Sequence, residues 1–315
     1  MEGRVHFCPN DQGVYSSEAD LCVDCGGPLI IDRRGETIEG WVIDHLIGLG
    51  GMRCTVWEGA RDDGMVAAIK ISEADADSSE ARRLIHSASL VHDIAHPNVV
   101  RVFSYGESES GEAHVVMELL RGRTLLNLLQ QRGVITVAQS VHVVREVLNA
   151  LGFIHGRGLV HRDVKPGNVH LSARGSEPWD VRLIDFGVAK ELTASAPGRI
   201  DLARDPPGAW GRIVGTPEYM APEQVMGAPV DGRADLYGAG VMLYRLVTGE
   251  LPFTSQDRQE IYEQQLRRPV PPPRAPEGQP PLSFGLAAAL ATALAKQPAD
   301  RFQSAQAFIA ALDQA

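Results

Sequence analysis

The sequence predicts an α+β protein of two lobes, a sheet-rich small lobe followed by a mainly helical large lobe, with a small cysteine-containing hairpin module in front of them. Three observations lead to this fold class. Three of the four cysteines lie in the first 25 residues, short Val- and Ile-rich runs follow up to residue 119, and helical periodicity dominates from residue 124 onward. We therefore expect a module at 1–31, a linker at 32–40, a small lobe at 41–120 and a large lobe at 121–313.

The composition of the 315-residue chain is that of an ordinary globular protein. Hydrophobic residues make up 44% and charged residues 22%, and 30 Lys and Arg stand against 40 Asp and Glu, a formal charge of −10. An acidic chain without a dense basic run argues against nucleic acid or an anionic membrane as a partner. We see no apolar stretch of membrane-spanning length and no signal-peptide pattern, so we expect a cytoplasmic protein.

The amino-terminal module carries two cysteine-containing turns. Two residues separate Cys22 from Cys25, whereas Asp11 stands where a second cysteine would follow Cys8. The pattern resembles a degenerate zinc ribbon. Three thiolates with either Asp11 or His6 as the fourth ligand would complete a Zn²⁺ tetrahedron, and the alternative is a small hairpin that binds no metal. A module of this size needs a metal or a docking surface in order to fold, which indicates regulation or a regulatory partner.

Short apolar runs predict the sheet of the small lobe. Each has the length of a strand and ends at turn residues: Trp41–Ile47, Thr55–Ala60, Val66–Ile71, Val99–Tyr105 and Ala113–Leu119. A helical stretch near Ser78–Asp93 interrupts them, so we expect a mostly antiparallel sheet with one helix. Behind the first run, the glycine-rich stretch from Gly48 to Gly51 predicts a turn whose backbone N–H groups can approach phosphate oxygens.

Helical periodicity predicts the large lobe. Thr136 and Gln139 form a capping box, and an apolar stripe follows them as far as His155. The same periodicity recurs in three later segments: Ala234–Leu246, Phe284–Ala295 and Ser304–Leu312. The proline-rich segment Pro269–Pro281 excludes regular helix and central strand, and we interpret it as a stiff surface loop.

The residues that carry chemistry lie between these elements. The segment His161–Asn168 (HRDVKPGN) brings the carboxylate of Asp163, the ammonium of Lys165 and an amide into eight residues. A second carboxylate, that of Asp185, follows 22 positions after Asp163, at the end of a strand-like run. Oxygen ligands of this kind suit Mg²⁺ and a phosphate site. Lys70, near the end of a small-lobe strand, adds a cation.

The glycine-rich stretch, Lys70, the HRDVKPGN segment and Asp185 follow one another along the chain in that order. Motifs in this order resemble those of the eukaryotic-type (Hanks-type) bacterial serine/threonine protein kinases. Further matching motifs are HPN at 96–98, GTPEY at 215–219, APE at 221–223 and PADRF at 298–302. The resemblance covers about residues 41–313 and implies a two-lobed kinase fold. It also implies an enzyme that uses ATP and Mg²⁺ (or Mn²⁺) to phosphorylate Ser and Thr hydroxyls of protein substrates in bacterial signalling. Glu223 and Arg301 would form a buried structural ion pair.

The resemblance implies a role for each matching residue. Asp163 would accept or orient the proton of the attacking hydroxyl, and Lys165 would neutralise charge on the transferred phosphoryl group. Asn168 and Asp185 would hold Mg²⁺, while Lys70 would hold the α- and β-phosphates. The remaining nucleotide-binding candidates are Gly48, Gly50, Gly51, Val56, Ala68, Glu118 and Leu120.

Two departures from the family pattern leave alternatives open. Arg53 replaces the third glycine of the glycine-rich loop, and Ser87 occupies the place of the helix glutamate that pairs with Lys70. Either a shifted helix presents Glu80, seven residues earlier on nearly the same face, or the ion pair is absent. The alternative function is a pseudokinase, a nucleotide-binding scaffold or regulatory interaction protein. The presence of Lys70, Asp163, Asn168 and Asp185 argues against it.

Overall fold

The computed structural model of the chain describes residues 6–10, 14–15, 22, 25, 29–50, 54–74, 78–108, 110–173, 179–186, 190–191 and 216–315. The chain divides into two compact units, one of Met1–Asp93 with Arg101–Leu119 and one of Ile94–Val100 with Leu120–Ala315. The predicted α+β class is confirmed, since the first unit is built on an antiparallel sheet and the second is mainly helical. Among the described helices, none combines the length and hydrophobicity that crossing a bilayer requires.

The amino-terminal part of the first unit is a small three-stranded sheet. Its strands are β1 (His6–Phe7), β2 (Val14–Tyr15) and β3 (Ile30–Ile31). Strand β1 is central and pairs antiparallel with both neighbours. Ile30 also packs against the apolar cluster of the larger sheet that follows. The module therefore rests on the small-lobe sheet and belongs to the same compact unit.

The larger sheet of the first unit has six antiparallel strands in the order β4-β5-β6-β7-β9-β8. The strands are β4 (Thr37–Ile38), β5 (Trp41–Gly50), β6 (Cys54–Ala60), β7 (Val66–Ser72), β8 (Val102–Glu107) and β9 (Ala113–Glu118). Strand β4 lies inside the stretch that we expected to be a linker. Helix α1 (Ser79–Val91) follows the third long strand, and its N-cap is Ser78, whose side chain accepts a hydrogen bond from the Ala81 N–H at 3.0 Å.

The glycine-rich segment differs from the turn that we predicted. Gly48 and Gly50 belong to β5, where they pair with Val56 and Cys54 of β6. The ladder continues through these glycines because the antiparallel pairing of the two strands satisfies their backbone groups. Gly51 and Arg53, in the connection between the strands, lie outside the described residues.

The segment 94–100, which we assigned to the small lobe, joins the second unit. The Asn98 side chain donates to the Val181 carbonyl at 3.0 Å, the Leu183 N–H donates to the Asn98 carbonyl at 2.8 Å, and the Val100 N–H donates to the Leu183 carbonyl at 3.0 Å. These bonds explain why the strand predicted from Val99 begins only at Val102.

The second unit is a set of helices with short strands between them. The helices are α2 (Leu125–Arg132), α3 (Val137–His155), α4 (Pro222–Val225), α5 (Gly232–Thr248), α6 (Arg258–Arg267), α7 (Phe284–Ala293) and α8 (Ala305–Asp313). The strands are β10 (Arg123–Thr124), β11 (Leu159–Val160), β12 (Val169–Ser172), β13 (Asp180–Leu183) and β14 (Lys190–Glu191). Helix α3 packs against α5 and α8.

Two sequence predictions for this unit are confirmed. Thr136 and Gln139 form the reciprocal capping box at the start of α3, with hydrogen bonds of 3.2 and 3.1 Å. The segment Pro269–Pro281 contains neither helix nor strand. The apolar stripe of α3 is buried, which holds its carboxyl end, and the loop that follows, against the core of the unit.

Candidate active site

The loop between β11 and β12 brings three of the predicted site residues into contact. Asn168 donates its amide to the Asp163 carbonyl at 2.8 Å and to the Asp163 carboxylate at 3.0 Å. The Lys165 ammonium lies 2.7 Å from the same carboxylate and 2.8 Å from the Thr216 hydroxyl. Because its –NH₂ faces Asp163, the amide oxygen of Asn168 is turned away and can serve as a metal ligand.

Asp185 is tied to this loop through the backbone. The Ile184 N–H donates to the Asn168 carbonyl at 2.8 Å, so that the residue before Asp185 is fixed beside Asn168. Asp185 has a φ of 60°, a left-handed conformation that is uncommon for a residue other than glycine. Such backbone strain persists where the surroundings hold it, and it is concentrated at functional sites.

Asp235 anchors the start of the loop, a role that we did not derive from the sequence. Its carboxylate is buried at 1% exposure and accepts hydrogen bonds from the N–H groups of His161 at 2.9 Å and of Arg162 at 2.7 Å. His155 lies 2.8 Å from the same carboxylate. These contacts hold Arg162 at a φ of 67°. The signal in the sequence is the DLYGAGVMLY stretch at 235–244, which begins with Asp235 and resembles the kinase family.

His161 is fully buried beside the loop. Its ring packs on Phe186 with a centroid separation of 4.8 Å, and its Nδ1 accepts a hydrogen bond from the Asp163 N–H at 3.3 Å. Burial lowers the pKa of His161 below its usual value, although the carboxylates of Asp235, Asp163 and Asp185 oppose that effect. The imidazole is therefore neutral in the folded protein.

This burial predicts a loss of stability in mild acid. The unfolded chain protonates His161 near its ordinary pKa of about 6.5, whereas the folded protein does so only at lower pH. Below pH 6.5 the unfolded state therefore binds more protons, and the free energy of unfolding should fall, by up to about 1.4 kcal/mol per pH unit for one such group. Urea unfolding between pH 5 and 7 measures this slope.

One variant isolates the contribution of His161. His161→Gln should flatten the slope, because the glutamine side chain does not titrate. An equal slope in the wild type and in His161→Gln would contradict the assignment.

Glu223 and Arg301 form the ion pair expected from the sequence. The two arginine nitrogens lie 2.7 Å from the two carboxylate oxygens, a bidentate arrangement with both residues buried. The guanidinium also donates to the carbonyls of Arg233, Ala295 and Lys296. The pair therefore joins α4 to the segment before α8.

In the first unit, strand register brings the nucleotide-binding candidates to one face of the sheet. Lys70 of β7 is paired with Val56, and Val56 is paired with Gly48. Because side chains alternate along a strand, Ala68 shares this face. The opposite face carries the core residues Trp57, Ile69 and Ile71.

Gly50 makes room for Lys70 on that face. A Cβ at position 50 would lie 3.3 Å from the Cys54 Cβ and 3.4 Å from the Lys70 Cε, so the missing side chain leaves space for the lysine. Glu118 is the last residue of β9 and pairs with Ala67 of β7. Its side chain therefore lies on the face that carries Ile69 and Ile71, and not on the face of Lys70. Leu120 follows in the second unit.

The helix position that usually provides a glutamate has a different function here. Ser87 is buried, and its hydroxyl donates to the Arg83 carbonyl one turn earlier at 2.6 Å. Glu80 is in the first turn of α1 and accepts a hydrogen bond from the Ser79 hydroxyl at 3.2 Å. A carboxylate in a first turn is stabilised by the helix dipole. Both alternatives, an ion pair of Glu80 with Lys70 and the absence of that ion pair, stay open.

The amino-terminal module brings three cysteines together. The sulfurs of Cys8, Cys22 and Cys25 all lie within 4.8 Å of one another, with Cys8 and Cys25 3.5 Å apart. Thiolates around one tetrahedral Zn²⁺ are separated by about 3.8 Å, from the usual Zn–S distance, so this donor set fits the metal. His6 is described but does not belong to the group, and Asp11 lies outside the described residues.

Comparison with known proteins points to one family. A family model for the protein kinase domain matches residues 41–310. The chain is 35% identical over 281 residues to serine/threonine-protein kinase pkn3 of Myxococcus xanthus, which covers 88% of the chain and 50% of that relative. It is also 34% identical to PknB of Mycobacterium tuberculosis, over 85% of the chain and 41% of the relative. For PknJ of Mycobacterium bovis the identity is again 34%, over 87% and 45%. The chain thus spans half or less of the length of these relatives.

Proposed function

The chain belongs to the protein kinase family, and from this premise we propose that it transfers the γ-phosphoryl group of ATP to Ser and Thr hydroxyls of protein substrates. The contact of Asp163 with both Lys165 and Asn168, 2.7 and 3.0 Å from one carboxylate oxygen, carries this proposal. Phosphoryl transfer depends mostly on positioning and on charge neutralisation, and this group of side chains suits both.

Each residue of the proposed catalytic loop has a distinct role. Asp163 would orient the attacking hydroxyl and accept its proton, while Lys165 would stabilise negative charge on the transferred phosphoryl group. Its hydrogen bond to Thr216 supports this position for the ammonium, because the contact joins the loop to the GTPEY motif. Arg162 and His161 would act through the backbone that Asp235 holds.

Asn168 and Asp185 would hold Mg²⁺ or Mn²⁺ through their oxygens, a donor set that fits a hard cation. When bound, the cation would neutralise part of the negative charge of the phosphates. Lys70 would bind the α- and β-phosphates, and the backbone of Gly48, Gly50 and Gly51 would approach the phosphate oxygens. Val56 and Ala68 would contact the nucleotide from the face that Lys70 shares, and the backbone of Glu118 and Leu120 would meet the adenine.

We further propose that residues 41–313 form the kinase domain and that the domain acts in the cytoplasm, where ATP is available.

The test of the proposed transfer is incubation of the protein with ATP, labelled at the γ-phosphate, and a generic basic substrate in Mg²⁺ or Mn²⁺. Phosphoserine or phosphothreonine identified by mass spectrometry would support the proposal. Nucleotide binding without any transfer would favour the pseudokinase alternative.

For the amino-terminal module we propose a structural zinc site with Cys8, Cys22 and Cys25 as ligands and Asp11 or His6 as the fourth. We expect close to one Zn²⁺ per chain by atomic emission spectrometry after purification without chelators. Cys25→Ser should lower this content several-fold, because one thiolate in three is lost. Cys54→Ser is the matched control, since Cys54 is a buried cysteine of β6. Equal zinc content in the two variants would contradict the site.

A further inference from the structure

Arg33 is a buried arginine in the stretch that we expected to be a linker. Its exposure is 0%, whereas the next residue, Arg34, is exposed and pairs locally with Asp32 at 2.6 Å. Removing a guanidinium from water is costly unless carboxylates surround it with good geometry. A buried arginine directly after the cysteine module therefore indicates a specific contact between this segment and carboxylates elsewhere in the chain.

Three carboxylates hold the Arg33 guanidinium, two from distant parts of the chain and that of the nearby Glu36 at 3.2 Å. Its terminal nitrogens donate to the two oxygens of Glu112 at 2.9 and 2.8 Å, a bidentate pair. A second pair reaches the two oxygens of Glu73, both at 3.3 Å. Burial disfavours the charge of Arg33, but the carboxylates of Glu112 and Glu73 hold its pKa above the usual range. Arg33 therefore remains a cation that fastens the chain to two separate parts of the small-lobe sheet.

Glu73 connects this contact to the strand of Lys70. It directly follows β7, three residues after Lys70, and precedes helix α1. Its carboxylate also accepts a hydrogen bond from the Thr55 hydroxyl at 2.7 Å, and Thr55 in turn accepts one from the Trp57 indole at 2.9 Å. The end of β7 and the first half of β6 are thus held by the same carboxylate that binds Arg33.

On its other side, Arg33 is joined to the cysteine module. Strand β3 ends two residues before it and pairs with β1, which leads directly into Cys8. Ile30 of β3 packs on the core of the small-lobe sheet, and the Arg34 guanidinium lies 4.8 Å from the centroid of the Phe7 ring in β1. A three-stranded module of two-residue strands has too small a core to be stable alone, so its order depends on the bound metal and on this docking.

We infer that Arg33 is a positioning residue that transmits the metal-bound state of the cysteine module to the strand bearing Lys70, so that loss of the metal weakens nucleotide binding. The inference rests on the proposed function, because Lys70 is assigned to the phosphates there. Without metal, β1 and β3 are no longer held in place. The backbone before Arg33 then becomes mobile, and its guanidinium no longer keeps its position between Glu73 and Glu112. Glu73 then holds a partly buried charge without its arginine partner, and the end of β7 loosens.

The test measures the affinity for a non-hydrolysable ATP analogue with Mg²⁺ by calorimetry, alongside the zinc content. Four forms are compared with the wild type: Arg33→Ala, Cys25→Ser, the double variant and Arg82→Ala. We expect Arg33→Ala and Cys25→Ser each to weaken binding by about 5-fold or more, the lower end of typical coupling between sites. The double variant should bind no more weakly than the weaker single variant, because both changes break one path. Arg82→Ala, which removes an exposed arginine of α1 that takes no part in the junction with the module, should stay within about 2-fold.

Wild-type affinity in folded Arg33→Ala would overturn the inference, and so would additive losses in the double variant. If Arg33→Ala does not fold, Arg33→Lys replaces it, since it keeps the charge but loses the bidentate geometry; unchanged affinity there overturns the inference as well. The readout is nucleotide binding rather than transfer. A wild type that binds the analogue but transfers no phosphate would therefore refute the proposed function and leave this coupling testable in the same variants.

Discussion

Asp163→Asn is expected to lower kcat by about 10²- to 10⁴-fold, the usual contribution of a positioned general base. The variant keeps the size of the side chain but removes the negative charge that Lys165 approaches at 2.7 Å and Asn168 at 3.0 Å. Its amide cannot accept the proton of the attacking hydroxyl. Steady-state transfer to a basic protein substrate, with saturating ATP and Mg²⁺, measures the effect.

Two controls give this result its meaning. Asp180→Asn removes a carboxylate from β13 that pairs with Arg182 at 3.4 Å, and it should leave kcat within about 2-fold, as for most surface substitutions. Affinity for the ATP analogue should change little in Asp163→Asn, because the proposed phosphate and metal contacts belong to other residues. Comparable residual transfer in Asp163→Asn and the wild type would refute the role of Asp163 and assign the phosphate to a contaminating kinase.

The second large effect is on stability. Arg301→Ala should lower the free energy of unfolding by about 3–5 kcal/mol, the usual cost of removing one partner of a buried ion pair. The Glu223 carboxylate, at 5% exposure, would be left without its bidentate partner, and three backbone carbonyls would lose a donor. Chemical denaturation monitored by far-UV circular dichroism measures the loss.

An exposed ion pair of the same unit is the matched control. Arg145 and Asp313 lie 2.9 Å apart with side chains 40% and 49% exposed, so Arg145→Ala should cost less than about 1 kcal/mol. Replacing both partners, as in Glu223→Met with Arg301→Met, should recover much of the stability, because no charge is then left buried. If Arg145→Ala and Arg301→Ala were equally destabilising, the burial argument would be wrong.

Much of the fold followed from local patterns. Alternating Val- and Ile-rich runs predicted the strands of the small-lobe sheet, and the capping box at Thr136 predicted the start of α3, because both signals act over a few neighbouring residues. Motif order likewise indicated the kinase family, and the family match over residues 41–310 agrees with it. The boundaries were less predictable where a segment bonds to a distant part of the chain, as 94–100 does through Asn98 and Leu183.

Patterns and motifs along the chain predicted the elements, the family and the residues that carry charge. Which of those charges are buried, and which groups they contact, depends on the folded chain. In the sequence Arg33 is interpreted as a linker residue, whereas in the folded chain it donates hydrogen bonds to Glu73 and Glu112, 40 and 79 positions away. Asp235 matches a family motif in the sequence, but its hydrogen bond from the N–H of His161, 74 positions away, is visible only in the folded chain. The cost of desolvating a charge is set by neighbours that the folded chain brings together, and no local pattern contains them.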